Sequence, residues 1–495
     1  MRFLLLIAVV QVFAVVIAVR VTEKRQAGGA RSLPKNAPIA IVGAGFAGLA
    51  AASRLISLGY NDVTIFEATN RTGGRVYPIA FADGYIQLGA EYINGRKNPI
   101  YEIARNLNVL EADNDEEEDD DPLENGILAA GDCTVSQNDR NAFTEFASPL
   151  MDKYESMAGQ GDQTRSIGQL YSQDYQRFLS NQRATDKKSV YDALTRLYRS
   201  SYEAEWSADW NDLSLLNYDQ FDTGDSESEE HSMNKMGYKA VLDFISTNVS
   251  RDKIKLNSRV TNIDYSGNEV KIRLESGLQP KTFQAVIVTA SLGHLKKFAR
   301  SLFTPQLSRT KLTAIDTLGF GSIGKLFLVY NQPWWSQNTE TINILPVDGC
   351  TTNSPATDKL FTTFHPMAWN NNVLQGWLSG SAPAAIDAMS DDQVKTAVTG
   401  VFRRMLRNNT IPEPTRILRN KWTTDPLFGG TYSYISVAAA KNGASFDQIA
   451  TPIVVNGQAK VLFAGEATHP DVYQTTIGAY ISGRREADRL FLGNW

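Results

Sequence analysis

Residues 39–67 read IAIVGAGFAGLAAASRLISLGYNDVTIFE. Ile39–Val42 is a short apolar run. Ala47–Leu58 is rich in Ala and Leu with helical periodicity and stops at Gly59, and Val63–Glu67 is β-branched. Strand, glycine turn, helix and strand in that order make a βαβ unit. Within the turn, Gly43 permits the sharp bend, Gly45 lets a pyrophosphate approach the backbone, and Gly48 lets helix and strand pack closely. Free amides at the helix start, and its dipole, then face the phosphates. Glu67 closes the second strand, where a carboxylate suits two hydrogen bonds to ribose hydroxyls. The spacing predicts a dinucleotide-binding α/β unit near the N-terminus.

The rest of the chain is ordinary globular sequence. It has 495 residues, 42% hydrophobic and 21% charged, which excludes a largely disordered chain, a coiled coil and a collagen. A formal charge of −5 shows no basic excess and argues against nucleic acid as a partner. Two cysteines, Cys133 and Cys350, exclude a disulfide scaffold; they read either as one disulfide or as two unpaired buried thiols. The four histidines are scattered without HxxxH spacing, so no metal site is expected.

Phe3–Val19 is almost unbroken apolar sequence behind Arg2, with small residues near its end. It reads as a secretory signal peptide over residues 1–18, which implies a secreted or luminal protein without stable membrane insertion; the alternative is an N-terminal membrane anchor. Residues 19–36 read as a disordered lead-in. Three N-x-S/T triplets occur; Asn248 and Asn408 are the candidate glycan acceptors, whereas Asn70 is expected to be buried in a cofactor motif. Asp113–Asp121 and Asp222–Glu230 are acidic and read as solvated loops, or as segments drawing polycations to an entrance. Residues from about 140 to 245 look mainly helical, with a long amphipathic stretch around Tyr191–Trp206. Strand patterns return at 259–264, 270–274, 285–289, 325–330 and 461–464, and helical ones at Asp391–Arg407 and from Gly478 toward Leu492.

Arg71-Thr-Gly73-Gly74-Arg75 follows Glu67 directly and puts two arginines and bare backbone against the same diphosphate. Downstream come Leu88-Gly-Ala-Glu91-Tyr92-Ile-Asn94-Gly95, then Arg259-Val260-Thr-Asn-Ile263, Val286–Lys296 with its LGHLK end, and Gly321-Ser-Ile-Gly-Lys325 with Pro333-Trp-Trp335. Lys421-Trp422 with Asp425-Pro and Thr431-Tyr432-Ser-Tyr434 follows. The C-terminus carries Phe463-Ala-Gly-Glu466-Ala-Thr-His469-Pro, Tyr473-Gln-Thr475-Thr476-Ile-Gly478-Ala and Ser482-Gly-Arg484-Arg485-Glu486. Taken together these segments resemble the FAD-dependent amine oxidase superfamily, most closely the animal polyamine and spermine oxidases, over nearly all of 38–495.

The resemblance implies a two-domain α/β architecture. A Rossmann-like FAD domain would gather 37–105, 246–300 and 425–495, and a sheet-plus-helices substrate domain would gather 106–245 and 301–424. It implies that Gly43, Gly45, Gly48, Glu67, Arg75, Glu91, Tyr92, Val260, Glu466, Thr475 and Thr476 hold FAD. Lys325 would hold a water against flavin N5 with its pKa lowered by desolvation. Trp422 and Tyr432 would flank the reacting amine. Thr431 stands where monoamine oxidases link the flavin through cysteine, so the FAD is expected to be non-covalent; Thr475 replaces the second tyrosine of their aromatic cage. Asn94, in the substrate position, stands where polyamine oxidases carry Glu or His, and Ile477 replaces a common histidine. The implied reaction is hydride transfer from the amine α-carbon to flavin N5, then imine hydrolysis to an aldehyde and a smaller amine, with dioxygen reduced to hydrogen peroxide. A different amine or an amino acid as substrate, and a catalytically impaired flavin-loaded protein, are the alternatives; no motif-placed arginine is available to clamp an amino-acid carboxylate.

Overall fold

The computed structural model describes residues 32–495 apart from 112–125, 161, 163, 182–184, 225–229 and 351–353. The N-terminal apolar segment and the acidic block at 113–121 therefore lie outside the described residues. Ile39–Val42 sits at the heart of a six-stranded sheet, parallel to Val63–Phe66 on one side and to Ala285–Val288 on the other. Gln458–Phe463 continues the sheet in parallel, Ile453–Val455 closes that edge antiparallel, and Ile254–Lys255 closes the other. Strands covered on both faces must be apolar throughout, which is why the central ones carry unbroken Val, Ile and Ala. All six strands come from 37–105, 246–300 and 425–495.

The helices Phe46–Ser57 and Thr476–Leu492 pack against each other, joining the two ends of the chain. Gly483 permits the approach: a Cβ there would lie 2.2 Å from the Ala47 carbonyl oxygen. Beside this unit Lys281–Phe283, Val270–Leu274, Val260–Asp264 and Phe303–Thr304 form a four-stranded sheet.

A second six-stranded sheet runs in the order Arg416–Arg419, Gly324–Val329, Asn370–Leu378, Thr363–Met367, Ile342–Ile344, Ile127–Ala129. All of its strands come from 106–245 and 301–424. Helix Asp391–Met405, capped by Ser390, buries Val394, Val398, Val401 and Phe402 against Leu326, Leu328 and Leu374 of this sheet. The helices Gln137–Ala147, Ile167–Asn181 and Lys188–Trp206 enclose a core rich in aromatics, including Phe143, Tyr171, Phe178 and Tyr191. Cys133 and Cys350 form a disulfide with Cα atoms 5.6 Å apart, joining the segments that follow the paired strands Ile127–Ala129 and Ile342–Ile344.

The structure departs from several sequence expectations. Residues 32–36, the described end of the lead-in, are packed on the fold: Leu33 is buried, its amide donates to Leu490 O at 3.2 Å, and the Lys35 ammonium lies over the rings of Tyr60 and Phe491. Helix Gly237–Ser246, on the substrate side of the expected boundary, packs Tyr238, Val241, Leu242 and Ile245 into the core of the first unit. Conversely, the hairpin Pro78–Phe81 and Gly84–Gln87 packs on the second sheet, with Ile86 and Leu88 against Phe327, Val373 and Leu418. Asn70 is exposed, because the motif around it turns its backbone, not this side chain, inward. The last helix begins at Thr476, since Thr475 caps it by accepting from the Gly478 amide.

Candidate active site

One cavity of about 1060 Å³ lies where the carboxyl ends of the first sheet meet the second sheet and its helices. Such junctions are where α/β folds place their ligands. Every predicted site residue lines it except Gly48, which acts from behind: a Cβ on Gly48 would fall 2.0 Å from the Gly43 carbonyl oxygen.

At the first-sheet end, Gly43 has φ +106° and follows Val42 at the strand tip. Gly45 is the N-cap of helix Phe46–Ser57 and gives it no side-chain cap, so the first-turn amides have no side-chain acceptor. Glu67 is buried; it accepts from the Ala44 amide at 2.7 Å and from the Thr69 amide and hydroxyl. The second glycine pair docks on the first turn: the Gly73 amide donates to Ala44 O at 2.9 Å, and a Cβ on Gly74 would lie 3.1 Å from Gly45 Cα. Arg75 donates to Thr431 O at 2.6 Å and to Glu466 Oε1 at 2.9 Å. Glu466 also accepts from the Ser433 hydroxyl and the Gln474 amide. Thr476 shares a 2.7 Å hydrogen bond with the Tyr238 hydroxyl, which donates to Tyr92 O. Val260 begins its strand at the cavity wall. Side chains on Gly43 and Gly48 would collide with neighbouring atoms, and Gly74 takes a positive φ that other residues rarely adopt, so substitution at any of the three would spoil this cradle. Its uncapped helix amides and arginine are the donors a diphosphate requires, and its buried carboxylate is the acceptor that ribose hydroxyls require.

At the second-sheet end, Lys325 is 4% exposed. Its ammonium donates to Glu91 Oε2 at 2.5 Å, Gly89 O at 2.7 Å and Gln87 O at 3.3 Å, and lies 4.6 Å from the Trp377 ring centre. Burial pushes its pKa down, and the charges of Glu91 and Glu230 oppose that shift. Glu91, assigned to the cofactor by resemblance, is thus an ion-pair partner of the lysine. Trp422 stacks on Phe428, and the Tyr432 hydroxyl donates to Ala204 O at 2.6 Å and Glu205 O at 3.1 Å. Asn94 donates from Nδ2 to Glu230 Oε1 at 3.1 Å across a short antiparallel pair in which the two residues face each other. Ile477 is buried in the first unit's core and does not line the cavity.

Sequence reasoning missed four groups here. Trp377 stacks on Tyr92, and Gln375 donates to Glu91 at 2.8 Å; both lie on the strand paired with the lysine strand, with Trp377 level with Lys325. Glu205 and Glu230 also line the cavity. Enclosure by its walls and the charge of Glu230 push Glu205 up to about 7, and Glu230 is raised chiefly by enclosure. Glu230 ends the acidic segment read as a solvated loop or as one drawing polycations to an entrance; no local pattern marks it as a wall residue.

This architecture defines a dinucleotide-binding α/β protein with a second domain closing its cavity, and comparison with known proteins supplies the cofactor and the reaction. The profile of the family described as "Flavin containing amine oxidoreductase" matches residues 46–491. The chain belongs to that family and is an FAD-dependent amine oxidase. It is 28% identical to probable polyamine oxidase 5 of Arabidopsis thaliana over 92% of this chain and 98% of that one. It is also 28% identical to the peroxisomal N(1)-acetyl-spermine/spermidine oxidase of Bos taurus, covering 94% and 97%. A solved structure of wild-type putrescine oxidase bound to putrescine superposes with a TM-score of 0.64 at 15% identity, covering 92% of this chain and 98% of that one, so the fold is shared.

Proposed function

We propose that this chain oxidises polyamines. One observation carries the reading: the charges lining the cavity are unbalanced. Its three lining cations are all spoken for, Arg75 by Glu466, Arg259 by Glu275 and Lys325 by Glu91. Apart from Glu67, which is held by the Ala44 and Thr69 amides, four lining carboxylates, Glu155, Glu205, Asp219 and Glu230, have no cationic partner among the described residues. These four carboxylates are exposed to solvent, and together they set up a negative field along the cavity wall that draws in a substrate bearing several ammonium groups. A substrate with its own carboxylate meets repulsion instead and finds no unpaired arginine among the described residues lining the cavity, which disfavours amino acids. Asn94 lacks the charge that polyamine oxidases carry there, but its amide holds Glu230, so the carboxylate arrives from the facing strand. With that substitution, and with Ile477 outside the cavity, neither departure argues for an impaired protein.

FAD, when bound, supplies the acceptor for hydride from the amine α-carbon and passes the electrons to dioxygen, giving hydrogen peroxide. The chain's residues orient and desolvate the amine. Trp422 and Tyr432 wall the cavity, and aromatic faces there can hold a distal ammonium by cation–π attraction worth about 0.5–2 kcal/mol. With both cysteines joined to each other, no thiol remains for a thioether to the flavin, which supports non-covalent binding. The test is peroxide formation from spermine, spermidine and their acetylated forms beside benzylamine and leucine. Preference for either of the last two overturns the proposal.

For location, we propose the secretory pathway or the exterior. The Cys133–Cys350 disulfide suits an oxidising compartment, and Asn70, Asn248 and Asn408 are all exposed. Protein secreted by eukaryotic cells should begin after residue 18 and lose mass on endoglycosidase treatment; an unprocessed N-terminus found in membranes supports the anchor instead.

A further inference from the structure

The Lys325 ammonium has three N–H groups, and all three meet acceptors from one short segment: Gln87 O, Gly89 O and Glu91 Oε2. Glu91 is itself held, because Gln375 Nε2 donates to the same carboxylate oxygen at 2.8 Å. Other groups facing the lysine come from every neighbouring element. Trp377 and Gln375 lie on Asn370–Leu378, His365 on Thr363–Met367, and Glu230 with its partner Asn94 on the short strand pair. Burial disfavours a charge on both Lys325 and His365. Burial disfavours the charged form of this amine unless a counter-ion holds it, and among the described residues Glu91, at 2.5 Å, is the one carboxylate in direct contact.

We propose that Glu91 is a positioning residue that keeps Lys325 a fixed ammonium turned onto the 87–91 segment, so that the lysine presents a permanent positive charge to the cavity and does not exchange its proton during turnover. This rests on reading the cavity as the flavin and amine site. It departs from the resemblance in one respect: a lysine whose three donors are taken can face a water only by letting one go, and the longest bond, to Gln87 O, is the one to yield.

The test compares wild type, Glu91→Gln, Lys325→Met and the double variant. The visible spectrum of each substrate-free, FAD-loaded protein is titrated between pH 6 and 10. Glu91→Gln should show a new transition, with the lysine titrating about one to three pH units lower than in wild type. The transition should be absent from Lys325→Met and from the double variant. A Glu91→Gln spectrum that follows wild type across this range overturns the proposal. A second arm needs no flavin: denaturant unfolding of the apoprotein across the same range. With its counter-ion gone the buried lysine has a depressed folded pKa, so Glu91→Gln should lose stability relative to wild type as pH falls from 10 toward 7. In the Lys325→Met background the same change should show no such slope; an equal slope in both backgrounds overturns the proposal. Failure of all four proteins to take up FAD counts against the cavity reading alone, and the unfolding arm then decides the role of Glu91.

Discussion

Glu205 makes the cavity's hold on a cation vary with pH near neutrality. Its carboxyl is pushed up to about 7 by enclosure and by Glu230, so its charged fraction grows as pH rises through neutrality. Polyamine binding should therefore strengthen as pH rises from 6 to 8, measured as Kd by titration of the oxidised protein. Glu205→Gln should flatten that dependence and weaken binding at pH 8 by about tenfold, the scale of one charge-assisted hydrogen bond. The same shift has a stability consequence of definite sign. An acid whose folded pKa lies above its unfolded value favours folding at low pH and opposes it as pH rises toward the folded pKa. Glu205→Gln should match wild type near pH 4 and exceed it in denaturant midpoint at pH 8. A pH-independent difference would remove Glu205 from the account. For Lys325, substitution by Met should leave FAD bound and remove most oxidase turnover in a peroxide assay; normal turnover would dismiss the lysine from the chemistry.

The pairing of the first and last helices depends on glycine where the backbones meet. A methyl on Gly483 would sit 2.2 Å from Ala47 O and 3.1 Å from the Ala51 amide nitrogen, neither of which can swing aside. Gly483→Ala should cost about 1–3 kcal/mol in denaturant unfolding and weaken FAD binding measured by flavin fluorescence. Gly267→Ala is the control: its nearest neighbour would be 3.9 Å away, and it should change neither. Equal behaviour of the two would mean that the helices tolerate separation. The glycines of the first turn, Glu67 and the C-terminal segment were legible in the sequence because each works through backbone approach or a fixed local spacing. Glu230 and Trp377 were not, because their places come from strand register. Asn94 meets Glu230 across 136 positions, and Lys325 meets Trp377 only because two strands align at that level. Asn370–Leu378 begins with three asparagines, so alternation could not announce it as a central strand. Helix Gly237–Ser246 was legible as a helix, but the sequence alone did not show which core its apolar face enters.

At the scale of the whole molecule two covalent or ligand-borne links act on different halves. The Arg75–Glu466 ion pair joins residues 391 apart at the cofactor cradle, so FAD binding fastens the N- and C-terminal segments that build the first sheet. Ligand held at a hundred times its Kd should add about 2.7 kcal/mol to unfolding. The Cys133–Cys350 disulfide, closing 217 residues, follows two strands at the far edge of the second sheet and touches none of the cradle. Its loss should cost about 2–4 kcal/mol. Links that share no partners contribute additively to within about 0.5 kcal/mol. Unfolding of wild type and the Cys133→Ser/Cys350→Ser variant, each with and without FAD, should therefore give the same disulfide increment in both states and the same FAD increment in both proteins. If removing the disulfide also removes the FAD increment, the far edge of the second sheet is needed to hold the cavity closed. The cradle then cannot be treated as the work of the first unit alone.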